Sequence, residues 1–323
     1  MFKRILLVFL IMFAIVNLNG CFITYKAQDI VIEDGTEKYN NYVKLSNTLN
    51  EWLNGILDAY FKEFGVEEDI NIPKDYDKCG TMPIIDSFYK QVDEAVEYAS
   101  KNPSFKDADE SMKILAPKIK ALMDTMNEIY NYYSQKEFLE DNGVMGTNLH
   151  RKIRAQYVDY LYSLDKFGAD LDVIGMERLM QELKELKEDD MLIRYHGLNL
   201  LMEGEKIQAL FYDESMMIDI KEFEEIQILL IEHIDKFLEY VDDDNRLKKE
   251  GLDQKIFLGR AIDDCRYLKT SACEMLEILN ELDQKNNYTG VVSMEEVELY
   301  IYDYNSKFSS MISSYNNLNY EYN

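Results

Sequence analysis

Proline is nearly missing from this chain, with four in 323 residues. Such a chain can run helices without interruption, because proline is the residue that removes a backbone donor and clashes with the preceding turn. Alternating apolar and polar strand patterns are missing too, and Asp34-Gly35 and Asn142-Gly143 lack the alternating flanks of a hairpin. Histidine occurs only as His150, His196 and His233, with no HExxH, HxH or ExxH pairing, so the close spacings of a zinc site do not occur. No GxSxG, no GxGxxG and no Gly-rich phosphate loop is present. No catalytic, cofactor-binding or metal-ligating residue is therefore assigned, and no cofactor is expected. Positive charge is short as well: 35 Lys and Arg face 61 Asp and Glu, a net charge of −26. That balance argues against nucleic acid as a partner, since phosphate backbones are bound by Lys and Arg.

The cysteines are Cys21, Cys79, Cys265 and Cys273, too few for a disulfide framework. Cys265 and Cys273 lie eight apart in one helical stretch, which at 1.5 Å per residue separates them by about 12 Å, too far to bridge. Unpaired thiols are favoured. Whether Cys79 pairs with Cys265 or Cys273 stays open.

What is present begins with MFKRILLVFLIMFAIVNLNGC. Lys3 and Arg4 are followed by an apolar run from Ile5 to Leu18, then Asn19, Gly20 and Cys21. The run is shorter than the roughly 20 residues a membrane-spanning helix needs. Basic start, apolar run and small residues at a cut point are the order of a secretory signal. Leu18-Asn19-Gly20-Cys21 further resembles the lipobox of bacterial lipoproteins, with Asn19 an unusual second residue. The expectation is a cleaved signal over 1–20 and lipid, such as palmitate, on Cys21. Stable anchoring takes more than one acyl chain, which a diacylated or triacylated cysteine supplies. Cleavage would remove two positive charges and no acid, leaving −28. The predicted location is the extracytoplasmic side of a membrane in the cell envelope.

Residues 21–36 read as a tether, and residues 37–323 as a helical bundle domain. In Glu37–Phe64 the apolar residues Tyr42, Leu45, Leu49, Trp52, Leu53, Ile56, Tyr60 and Phe64 recur at three and four. Pro83 reads as a first helical residue after Thr81, Asn102-Pro103 as a break, and Pro117 as a kink inside a helix. A helix over about 148–189 carries Gly168 and Gly175 as points of interruption. Further helices cover about 190–213, 218–242, 251–285 and 293–320, the last with Val297, Tyr300, Tyr304, Phe308, Met311, Tyr315 and Leu318 in step. The fold class is all-α: long antiparallel helices packed as one elongated bundle or two fused bundles. The matched stripes of the first and last helices predict that these two share a core.

Lys285–Glu296 places Gly290 at the sixth position of a calcium loop, but Lys285 would stand where an acidic first ligand belongs. The stretch reads instead as a helix start with Ser293 as cap. Asp242-Asp243-Asp244 reads as a solvated helix end. The 24 tyrosines are a surplus best explained as packing with the hydroxyls reaching polar partners, against a tyrosine-lined groove for sugars or peptides.

Lys38, Tyr39, Asn40, Tyr42, Leu45 and Asn47 in the opening helix, with Tyr304-Asn305 and Tyr315-Asn316 in the closing one, resemble the YiiG family of bacterial lipoproteins. The resemblance implies a helical, lipid-anchored envelope protein and carries no catalytic residue. The functional expectation is a binding or scaffolding module with an envelope protein or glycan as partner. The alternative is an envelope hydrolase acting on wall or glycan material through a carboxylate site.

Overall fold

The computed structural model describes residues 35–68, 70, 81–212, 215–253 and 256–319. The stretch 1–20 read as a signal, Cys21, Cys79 and nearly all of the stretch read as a tether lie outside the described residues. The described residues are mainly helical, and the contacts divide the chain into two compact units, one ending at Gly175 and the next running from Met176 to Asn323.

The first unit opens with α1 (Thr36–Thr48), entered through Gly35 at φ 73°, a left-handed turn that glycine adopts without steric cost. A π-helical turn (Leu49–Leu53) leads directly into α2 (Asn54–Phe64). α3 (Asp86–Tyr98), α4 (Asp107–Ser134), the one-turn α5 (Phe138–Asp141) and the start of α6 (Val144–Glu188) follow. Tyr39, Tyr42, Leu45, Leu49, Leu53, Leu57, Tyr60 and Phe64 are all buried, as the period requires. Trp52 is not: it is 58 % exposed, which corrects its assignment to the core stripe. The π turn is the cause. Its wider winding turns each residue through less than the α-helical 100°, so the indole swings off the buried face.

Pro83 does not start the next helix. The backbone of Ile84 is held by Asn127, which accepts from Ile84 N at 2.8 Å, and helical winding begins at Asp86. α3 ends at Tyr98, ahead of Asn102-Pro103, as expected. Pro117 lies inside α4, which continues to Ser134. Neither Gly168 nor Gly175 interrupts α6. Gly175 serves packing: a Cβ there would meet the Tyr39 hydroxyl at 2.6 Å.

The second unit contains α7 (Leu192–Leu210), β1 (Met217–Asp219), α8 (Ile220–Val241), the short α9 (Asp244–Lys249), α10 (Leu258–Lys285), β2 (Val291–Ser293), a 3-10 turn (Met294–Val297) and α11 (Glu298–Asn319). α7 packs on α8, α8 on α10, α10 on α11, and α11 back on α7, which closes a four-helix bundle. Ile193, Leu200, Ile207, Phe223, Leu230, Phe237, Leu268, Met275, Tyr304, Phe308 and Met311 fill it. β1 and β2 are a departure from the strand-free expectation. They pair antiparallel, Ile218 opposite Val292, and tie the α7–α8 connection to the α10–α11 connection. Three residues each are too few to show a period of two in sequence.

The stripe of α11 is thus buried inside its own unit and that of α1 and α2 inside the other, so the predicted shared core is overturned. Tyr300 also leaves the stripe, 37 % exposed at the start of α11. Ser293 does cap the 3-10 turn, accepting from Glu295 N, and Asp243 caps α9 from the exposed acidic run.

Candidate functional site

Lys38 and Tyr42, two motif residues of the opening helix, are structural. Lys38 is buried, and its Nζ donates to Asp109 Oδ2 at 2.7 Å and to the carbonyls of Lys101 and Pro103. Tyr42 donates to the other Asp109 oxygen at 2.7 Å, and Phe105 N donates to Oδ2 at 2.8 Å. The Asp109 carboxylate beside it and burial around it hold the Tyr42 hydroxyl well above its ordinary pKa, burial being the larger cause. This knot clips the loop between α3 and α4 to α1, and every member is occupied. It offers no free group to a substrate.

Five buried tyrosines resolve in the same way. Tyr60 pairs with His150 at 2.8 Å, Tyr132 donates to Asp141 at 2.7 Å, Tyr160 to Asn54 at 3.1 Å, Tyr304 to the Gly204 carbonyl at 3.1 Å and Tyr315 to the Arg194 carbonyl at 2.9 Å. Ring bodies fill the cores and hydroxyls reach polar partners, as the packing reading expects. No tyrosine lines the groove described below.

The three histidines do not converge. His150 is fully buried, bonded to Tyr60 through Nδ1 and to the Glu67 carbonyl through Nε2 at 2.8 Å, and burial lowers its pKa. His196 and His233 meet each other in the second unit. Cys265 and Cys273 are free thiols, and burial raises both pKa values, so neither is an activated thiolate. Among the described residues no three His, Cys, Asp or Glu gather as a metal site, and no helix is long and apolar enough to cross a membrane.

Sequence reading missed the feature that Trp52 creates. The indole stands against Phe88 of α3, ring centroids 6.3 Å apart in an edge-to-face arrangement. Around the pair is an open groove of about 370 Å³ lined by Lys44, Thr48, Ser87, Lys90, Gln91 and Glu94. This volume falls in the range of small-ligand sites. Three parts of the chain build it. α1 supplies Lys44 and Thr48, the π turn supplies Trp52, and α3 supplies the rest. Buried Val92 and Ala95 anchor α3 beneath the groove, which leaves Lys90, Gln91 and Glu94 at the rim. Two lysines and one glutamate make this rim locally positive on a protein of net charge −26. Chemically the site can stack a flat apolar face and hydrogen-bond polar edges. It holds no nucleophile–base pair. The sequence signal that could have located it is the single tryptophan flanked by Asn50, Glu51 and Asn54, a polar setting for a core residue.

Residues 33–317 match the family described as "Protein of unknown function (DUF3829)". No curated protein and no solved structure matches the chain.

Proposed function

We propose, for a chain that belongs to the DUF3829 family of proteins of unknown function, a role as a lipid-anchored binding module of the cell envelope, related to the YiiG lipoproteins, with the Trp52 groove as its ligand site. The observation that carries this reading is the exposure of Trp52. A large aromatic held out of the core by a π turn costs burial energy, about 1.5–3 kcal/mol for a large apolar side chain. π turns are frequent at functional sites. Trp52 and Phe88 offer the apolar face, while Lys44, Lys90, Gln91 and Glu94 offer donors and acceptors around it. A pyranose ring with acetamido or carboxylate substituents has the matching chemistry: one apolar face, polar edges, and a group for the lysines. Lipid on Cys21 would hold the module at the membrane where wall glycans are met.

The chain's single tryptophan makes the test direct, because all indole fluorescence reports on this groove. Soluble N-acetylated wall oligosaccharides titrated into the protein should shift or quench the emission saturably, and Trp52→Ala should abolish binding in calorimetry. Saturable binding that persists in Trp52→Ala would sink the groove assignment. Hydrolysis of the same oligosaccharides, lost on changing one Asp or Glu, would replace the binding reading with the hydrolase.

A further inference from the structure

Two histidines 37 positions apart in sequence come together in the four-helix bundle. His196 on α7 and His233 on α8 place their Nδ1 atoms 2.9 Å apart, with ring centroids separated by 5.2 Å. Both rings are half-buried, so the pair has an open side. Two nitrogens facing at this distance share one proton: one ring donates through Nδ1–H and the other accepts through its lone pair. Tyr195 and Tyr240 wall the pair, Tyr195 edge-on to His196 at 5.0 Å between centroids and Tyr240 at 5.5 Å.

We propose that His196 and His233 form a two-nitrogen site for a borderline divalent transition ion such as Zn²⁺, Cu²⁺ or Ni²⁺, which takes the place of the shared proton and cross-links α7 to α8. Metal–imidazole bonds run about 2.0–2.1 Å, so a tetrahedral ion between two Nδ1 atoms sets the ring centroids about 5.2 Å apart. The rings already stand at that separation. The Nδ1 atoms, now 2.9 Å apart, would separate by about 0.4 Å to admit the ion, through changes in the torsions of both side chains. The donor histidine transfers its proton from Nδ1 to Nε2, so both neutral rings keep one proton each and both present a lone pair. Charges around the pair balance: Lys187, Lys206 and Lys236 are opposed by Glu203, Glu232 and Glu239. Burial in addition disfavours the protonated form of both rings, which leaves the lone pairs available at neutral pH. Imidazole ligands select borderline ions over Mg²⁺ and Ca²⁺. With two protein donors, the remaining positions fall to water, the arrangement of an open site and not of a closed structural one.

Cu²⁺ titrated into the full chain at pH 7.5 should bind with one equivalent showing the paramagnetic-resonance splitting of two imidazole nitrogens, which separates it from thiol-bound copper. His196→Gln and His233→Gln should each leave at most one nitrogen and weaken binding at least tenfold, with helical circular dichroism confirming the fold. The unaltered protein gives a second reading, because Zn²⁺ should raise its Tm at pH 7.5 and lose that effect at pH 4.5. Absence of the two-nitrogen signal, its survival in either variant, or a Tm indifferent to Zn²⁺ would overturn the site.

Discussion

Lys38 illustrates how a single residue can look functional in a sequence and prove structural. A lysine in the core is tolerated only when its charge is paired and its protons placed, and Asp109 with two carbonyls does both. Removing one member leaves the other buried and uncompensated. Lys38→Met should therefore cost about 3–5 kcal/mol in urea denaturation, and the double change Lys38→Met with Asp109→Leu should cost less than Lys38→Met alone. The histidine pair gives a second prediction at this scale. His196 is lowered from 6.5 to about 4, first by burial and then by His233, and burial lowers His233 as well. The unfolded chain thus binds more protons than the fold as pH drops below 6.5. Stability from this source is complete above pH 6.5 and is lost progressively toward pH 4. The groups facing the pair are Lys187, Glu203, Lys206, Glu232, Lys236 and Glu239. The fall in Tm between pH 7 and pH 5 should be smaller in the His196→Gln, His233→Gln double variant than in the unaltered protein.

At the scale of elements, helix contacts depend on where glycines permit close approach. On α7, a Cβ at Gly204 would lie 2.3 Å from the ring of Phe308, and one at Gly197 would lie 2.1 Å from Tyr315. These two glycines let α11 lay its aromatic stripe directly on the α7 backbone. Gly204→Ala should destabilise by about 1–3 kcal/mol through overpacking. Gly55, exposed in α2 with nothing within 4 Å of a Cβ, is the control: Gly55→Ala should stabilise by about 0.4–1 kcal/mol. Thermal melts of the two variants should move in opposite directions. Periodicity marked the stripes of α1 and α11 correctly at most positions, because burial of one face repeats with the helical turn. It failed at Trp52, because a π turn changes the period over five residues without any residue type that announces it. It also failed at Pro83, where a side chain 43 positions away holds the backbone extended.

For the whole molecule, the acid excess and the amino-terminal segment make the strongest statements. A net charge of −26 should slow approach to anionic surfaces, so the folded surface does not favour an anionic membrane, and the proposed attachment rests on lipid at Cys21. Cys21→Ser should shift the protein from the membrane pellet to the soluble fraction, or leave the signal uncut, as read by fractionation and intact mass. Recovery of an unmodified soluble Cys21 product from the unaltered gene would contradict the anchor. The local positive rim at the Trp52 groove runs against this overall charge. Binding of an acidic saccharide there should weaken as salt rises only if the near lysines outweigh the distant acids, which the Debye length of about 8 Å at physiological salt favours.

By itself, the sequence determined the all-helical class, the approximate helix borders and most buried positions, because these follow from local winding and a one-sided apolar pattern. Its composition settled the acidic surface, and the match over 33–317 came from the same string of residues. Tertiary structure alone decided which helices share a core, that α7, α8, α10 and α11 close a bundle, and that a short ribbon joins two of its connections. It alone placed Phe88 beside Trp52 and His233 beside His196. Sites of this kind are made by residues far apart in the chain, and their meeting depends on which face each helix buries against its neighbours, a choice that no local pattern encodes.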